Sequence, residues 1–263
     1  MCPRLLYIED YETHGLFGDP HDDASPLFRL LFALGDSSKA RERESEGSGG
    51  SYGYGKAVYS ANSRIHCIFV FSVFDPKRHP RNGHARLMGC SYFNRHRFDK
   101  ASYSGRAFFG NVRKNGEVVD PLEEADAHDM AKQLGFEPRG KADTGTSILL
   151  VDATVDCDEL RTSIEDWWWP RLLDESVGLD VELYEQGRRV EPPRPRSREH
   201  LRPFIACFDL ALGRADPQGA SEHAGTFNRL NNVPLGGYGL KVLPDELTAN
   251  ERVQDLKNSI ARI

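Results

Sequence analysis

The order of apolar and polar positions divides the chain into short strands and helices. "RLLYIED" (4–10) is an apolar run ending in acids and predicts a buried strand. A polar loop follows. "SPLFRLLFALG" then carries helix punctuation at both ends, with Ser25 as N-cap, Pro26 in the first turn and Gly35 as the stop. Residues 36–50 are polar and charged without apolar periodicity and predict a loop. A glycine-rich stretch leads from there into a helix predicted over 56–64.

Between residues 65 and 119 the pattern is that of strands. "HCIFVFSVF" and "ARLMGCSYF" are joined by a turn containing Asn82-Gly83, and a second Asn-Gly, Asn115-Gly116, separates "FFGNV" from "EVV". Asn-Gly favours the tight turns that match strand twist, so both predict hairpins. "PLEEADAHDMAKQLG" reads as an acidic helix closed by Gly135. "GTSILLVDA" is the next strand, "CDELRTSIEDWWWPRLL" a helix, and "GLDVELYEQGRRV" a strand with its own turn. "EPPRPRSRE" (191–199) is rich in proline and arginine and reads as a connector. Beyond it, "LRPFIACFDLALG" and "GGYGLKVLPD" predict strands, or a helix and a strand, before a charged C-terminal helix. The pattern implies an α/β or α+β class with a mixed sheet.

Charge and cysteine content narrow the chemistry. A net charge of −6 over 263 residues argues against a nucleic-acid coat or a basic membrane anchor. The longest apolar run, "CIFVFSVF", is too short to span a bilayer, and "MCPRLLYIED" lacks a signal-peptide layout, so a cytoplasmic protein is expected. Five scattered cysteines (Cys2, Cys67, Cys90, Cys157, Cys207) form no CxxC pair and predict reduced thiols. The histidines form no ligand ladder, and no metal ligand is assigned.

The richest candidate chemistry is "EGSGGSYGYGKAVYSANSRI" (46–65), with five glycines between Gly47 and Gly55 at the entrance to a helix. Helix N-termini carry unpaired amides and partial positive charge, so such an entrance suits a phosphate. The Rossmann pattern GxGxxG fails, because Tyr52 and Val58 stand where the third glycine is needed. The P-loop pattern has the right spacing from Gly50 to Lys56. It then places Ala57 where a hydroxyl must reach magnesium, and "KARERESE" before it is no buried strand.

A third device is a glycine hinge at the end of a mobile lid. "GGSYGYGKAVYSANSRI" resembles the GxxGxG box of the GHKL ATPases, the family of ninety-kilodalton heat-shock chaperones, gyrase-type topoisomerases, MutL proteins and sensor histidine kinases. Two further boxes are found in the family's order. "LYIEDYETHGLFG" resembles the strand ending in Asp and its glycine turn, with Asp10, Gly15 and Gly18, although Glu12 stands in place of the first glycine. "DTGTSILLVDA" supplies the Gly-Thr pair as Gly145-Thr146. The resemblance covers residues 4–190, and more narrowly the chain looks like chaperone-like ATP-binding proteins of bacteria, some linked to phage defence or DNA-modification loci.

The resemblance implies a Bergerat-type fold over residues 1–190: a two-layer sandwich with helices on one face of a mixed sheet and a lid at 36–55. The connector 191–199 and a partial second domain, 200–263, follow. It implies ATP with magnesium, Asp10 accepting from the adenine amino group, and Thr146 supporting it. Gly15 and Gly18 give backbone room, while Gly50, Ser51, Tyr52, Gly53, Tyr54, Gly55 and Lys56 wrap the phosphates. The family's first box, a helix carrying the general-base Glu and the magnesium-ligating Asn, has no counterpart ahead of Arg4, so the expectation is binding without fast hydrolysis, from a truncated chain. ATP-driven dimerisation is common in the family.

Blander readings stay open beside these. The glycine stretch also reads, as an alternative, as a flexible loop of a non-catalytic interaction module, and a P-loop-like NTPase is a further, poorer alternative. Ser37, Ser38 and Lys39 read as ordinary loop residues. Three successive tryptophans, Trp167 to Trp169, occupy different helix faces, so at least one points outward. The arginines Arg188, Arg189, Arg194, Arg196 and Arg198 read as a solvated linker, and Glu123, Glu124, Asp126 and Asp129 as a solvated helix face.

Overall fold

The computed structural model describes residues 3–32, 54–75, 83–113, 116, 118–174, 176, 179–229 and 233–242. Gly35, Ser37, Ser38, Lys39, Gly50, Ser51, Tyr52, Gly53, Asn82, Asn115 and the C-terminal helix expected after residue 242 lie outside the described residues, as do the side chains of Tyr54 and Lys56. By its internal contacts the chain separates into two units, Met1–Thr154 and Val155–Ile263.

The first unit begins with β1 (Leu5–Glu9), α1 (Pro26–Leu31), α2 (Tyr54–Ala61), β2 (Cys67–Val73) and β3 (Ala85–Tyr92). Short strands follow: β4 (His96–Phe98), β5 (Ala101–Tyr103), β6 (Arg106–Phe109), β7 (Asn111–Arg113), β8 (Val118–Asp120) and β9 (Leu122–Glu123). The unit closes with α3 (Glu124–Gln133) and β10 (Gly145–Val151). The main sheet runs β1-β10-β2-β3-β6, with β9 also paired to β3. The two Asn-Gly hairpins link paired strands, β2 with β3 and β7 with β8, and Gly83 and Gly116 both have positive φ.

The α+β class is the one expected, with two corrections of detail. Every strand pairing among the described residues is antiparallel, so the sheet is not mixed. Nor are the helices confined to one face. Ile68, Val70, Met88, Cys90, Ile148 and Leu150 pack against Leu27 and Leu31 of α1 and Tyr59 of α2. The alternate set, Phe71, Val73, Ala85, Leu87 and Leu149, packs against Ala127 and Ala131 of α3. The cause lies in β2 itself: "CIFVFSV" is apolar at every position except Ser72, and a strand with two apolar faces must be covered twice.

Local signals place the helices. Ser25 Oγ accepts from the Phe28 amide at 3.2 Å and starts α1 as read from the sequence, and the fully buried Leu27 and Leu31 each contribute about 2 kcal/mol of burial. Gly135 ends α3 with a φ of +81°.

The second unit comprises α4 (Cys157–Leu172), the hairpin β11 (Tyr184–Glu185) and β12 (Arg188–Arg189), α5 (Arg202–Ala211), and the hairpin β13 (Glu222–Asn228) and β14 (Pro234–Lys241). Asp156 caps α4 through a reciprocal capping box with Glu159. Trp169 is buried against Leu201 and Ile205, while Trp167 and Trp168 are exposed. The contact division thus falls before α4, whereas composition suggests the connector at 191–199. That segment is not a free linker. Pro195 is buried, the Arg194 amide donates to buried Glu165 of α4 at 2.7 Å, and Arg198 pairs with the same carboxylate.

Candidate functional site

The chemistry-bearing residues of the first unit meet where β1 and β10 leave the sheet. The Asp10 amide donates to the Thr146 carbonyl at 2.9 Å, extending the ladder by one residue beyond β1. The Thr146 amide donates back, not to a carbonyl but to Asp10 Oδ1, at 3.0 Å. Thr13 Oγ1 donates to the same oxygen at 2.5 Å. Asp10 Oδ2 has no donor among the described residues, and the residue is exposed. One carboxylate oxygen is therefore locked by the fold and the other is presented outward as an acceptor.

The sheet supplies a polar row beneath it. Register pairs Thr146 with Ser72 and Ser72 with Arg86, all on the face whose next row is Ile148, Val70 and Met88. Ser72 Oγ donates to the Gly145 carbonyl at 2.8 Å, accepts from the Leu16 amide at 2.8 Å and lies 3.5 Å from Thr146 Oγ1. Arg86 is fully buried and donates to the Gly18 carbonyl at 2.8 Å. Burial holds its guanidinium below the usual value, opposed by Glu123, Asp19 and Glu124. One end of an otherwise apolar core face is thus hydrogen-bonding.

Gly15, Gly18 and Gly145 each make room for the protein's own chain. Gly15 has a φ of +64°, and a Cβ on it would lie 2.5 Å from the Val73 carbonyl and 2.8 Å from Ser72 Oγ. Gly18, at φ +93°, packs against Ser25. Gly145 has a φ of +150°, and a side chain there would run into the Asp10 carbonyl and meet Asp10 Oδ1 at 2.8 Å. The Gly-Thr pair is thereby explained: the glycine lets β10 approach Asp10, and the threonine amide then reaches the carboxylate.

The helix after the glycine stretch flanks this cluster. It starts at Tyr54, two residues before the predicted start, and includes Gly55 and Lys56. Burial, and after it the negative charge of Asp10, pushes the Tyr59 phenol up, which places Tyr59 within electrostatic reach of the carboxylate. Gly50, Ser51, Tyr52 and Gly53 of the same predicted box lie outside the described residues, so the described part of the site consists of Asp10, Gly15, Gly18, Gly145 and Thr146 with α2 beside them.

Sequence reading gives no site role to four members: Thr13, Tyr59, Ser72 and Arg139. Ser72 carried a signal, as the one polar position in an apolar strand. Arg139 carried none, lying in a polar segment like any surface arginine, yet it is buried and bonded to Asp10 and Thr146. A cavity of about 380 Å³ opens beside the cluster, its wall including Thr13, His14, Lys141 and Thr144. Neither Asp10 nor Thr146 lines it. Among the described residues no group of three or more His, Cys, Asp or Glu side chains is placed to hold a metal. No helix among them is long and apolar enough to cross a membrane.

Comparison of the chain with protein-family models, with curated proteins and with solved structures returns no match in any of the three.

Proposed function

We propose that the first unit binds ATP, with the adenine amino group donating to Asp10 and the phosphates lying toward the glycine-rich entrance of α2. The observation that carries this reading is the divided carboxylate: Oδ1 is fixed by the Thr146 amide and the Thr13 hydroxyl, and Oδ2 is left to accept. An ionised carboxylate only accepts, so it pairs with the exocyclic amine of adenine and repels the carbonyl that guanine has in its place. The Thr146 hydroxyl, 3.5 Å from Ser72 Oγ, adds a group able to bond a ring nitrogen directly or through water. The order of Asp10, the glycine stretch and Gly145-Thr146 along the chain supports placement with the GHKL ATPases.

Magnesium would arrive with the nucleotide, held by its phosphates. Closure of the segment 36–55 over the phosphates belongs to this reading, as does dimerisation on ATP binding. No described residue is assigned as a general base, and the activity proposed is binding. Free thiols at Cys67, Cys90, Cys157 and Cys207 support a cytoplasmic setting.

Calorimetric titration with a non-hydrolysable ATP analogue and magnesium tests the reading. Saturable binding is expected for the wild type and at least a tenfold loss, about 1.4 kcal/mol, for Asp10→Ala. Absence of binding by the folded wild type, or binding indifferent to Asp10, would favour an interaction module in which the exposed Trp167 and Trp168 form a docking surface.

A further inference from the structure

Arg139 lies between α3 and β10 and is only 4 % exposed. Its guanidinium is spent almost entirely on neutral acceptors at the end of the β1–β10 ladder. Nη2 donates to the Asp10 carbonyl at 2.6 Å and, at 3.3 Å, to the Thr146 carbonyl. Nε donates to Ser147 Oγ at 3.0 Å, and Nη1 to the Asp143 carbonyl at 3.1 Å. The flat of the group stacks on the Tyr11 ring, 4.1 Å from its centroid.

Burying a cation without a dedicated carboxylate partner is costly, and a sheet end needs no such clamp to stay paired. The same two residues that Arg139 bonds through their carbonyls are those whose polar groups form the candidate base-recognition pair. It grips Asp10 at its carbonyl and the following Tyr11 at its ring, which fixes the backbone on both sides of the carboxylate's attachment point. The rigid fork of an arginine can hold several acceptors at once in one plane, which a lysine does not do.

We infer that Arg139 is a positioning residue that sets where Asp10 presents its open carboxylate oxygen, and so governs discrimination between purine nucleotides with and without a 6-amino group. The inference rests on the nucleotide-binding reading above. Its role is geometric: it touches no ligand, and its removal leaves Asp10 and the two bonds to Oδ1 chemically intact but releases the Asp10 carbonyl and the Tyr11 ring, so that the carboxylate is no longer held at one position.

The test compares ATP with purine riboside triphosphate, which lacks the 6-amino group, in calorimetric titrations of the full chain. Wild type, Asp10→Ala, Arg139→Met and the double variant are measured, with folding checked by circular dichroism. Arg139→Met should weaken ATP binding by about tenfold and leave the purine analogue within about twofold of wild type. In the Asp10→Ala background, Arg139→Met should cost ATP nothing further, because the two act on one interaction. A folded Arg139→Met that binds ATP as wild type does, or that loses both nucleotides equally and additively with Asp10→Ala, overturns the inference while leaving ATP binding standing. Wild type that binds no ATP, or Asp10→Ala that binds it normally, brings down the nucleotide reading and this inference with it. If Arg139→Met does not fold, Arg139→Lys carries the same comparison, and failure of both to fold marks a purely structural clamp and overturns the inference.

Discussion

Replacing Gly15 by alanine perturbs the turn that joins the Asp10 loop to the sheet, and its cost can be worked from the geometry. The position has a φ of +64°, where an L side chain costs roughly 1 kcal/mol. The new methyl would lie 2.5 Å from the Val73 carbonyl, nearly 1 Å inside ordinary contact, and 2.8 Å from Ser72 Oγ. Neither can swing away: one is backbone at the end of β2, paired with strands on both sides, and the other is held by the Leu16 amide and the Gly145 carbonyl. The loop must lift, adding an overpacking cost of about 1–2 kcal/mol and weakening a buried hydrogen bond worth about 1 kcal/mol. The expected total is about 3 kcal/mol, a large share of a typical domain's stability. Gly116→Ala is the control, with a φ of +95° and nothing among the described residues within 4 Å, so the backbone cost of about 1–2 kcal/mol applies without the steric one. All three tryptophans lie on α4 in the second unit, so fluorescence would report the wrong body. Hydrogen exchange of the β2 and β10 amides reads the first unit's opening free energy directly. Equal losses for Gly15→Ala and Gly116→Ala would refute the close approach on which the site geometry depends.

Three further outcomes follow from the same physics. Burial pushes the Cys90 thiol up to about 12 from an ordinary 9.0, so it should stay unreactive toward alkylating reagents at pH 8 in the folded chain. Because the folded pKa is the higher one, the stability this thiol contributes is intact below about pH 9 and is lost as pH rises toward 12; a Cys90→Ala variant should lack that part of the alkaline fall. Glu165→Ala removes the carboxylate that holds the Arg194 amide and Arg198, and should cost the second unit about 2–3 kcal/mol in urea unfolding followed by tryptophan fluorescence; a loss below about 0.5 kcal/mol would mean that the 191–199 segment is a free linker after all. Gly55→Ala, with no described residue within 4 Å of the new methyl in the first turn of α2, should stabilise that helix by about 0.5 kcal/mol while slowing nucleotide association if the glycine acts as a hinge; unchanged kinetics would remove the hinge role.

The parts legible in the sequence were those with local causes. The Ser25 cap and the Gly135 stop depend on backbone chemistry within a few residues and fall where the pattern puts them, and the strands on either side of each Asn-Gly sequence are paired as expected. The two-sided burial of the sheet is also written locally, in an apolar run interrupted only at Ser72. The capping box at Asp156 had its Asp-x-x-Glu signal and went unread. The segment 191–199 and Arg139 were not legible at all. Each is determined by a partner distant in sequence, Glu165 for the first and the ends of β1 and β10 for the second, and proline-rich or polar composition says nothing of such partners. Similarly, Asp10 and Thr146 were identified by motif, whereas the divided carboxylate that gives them a chemical role appears only once β1 and β10 are paired.

Nitrogen-15 amide shifts of the full chain, followed while the non-hydrolysable ATP analogue and magnesium are added, test the central claim most directly. The account predicts saturable shifts at Asp10, Gly145, Thr146 and Ser72 and along the first turn of α2, with the second unit unmoved. Shifts centred on α4 or α5, or none at all in a folded chain at millimolar nucleotide, would contradict a nucleotide site at the Asp10–Thr146 junction.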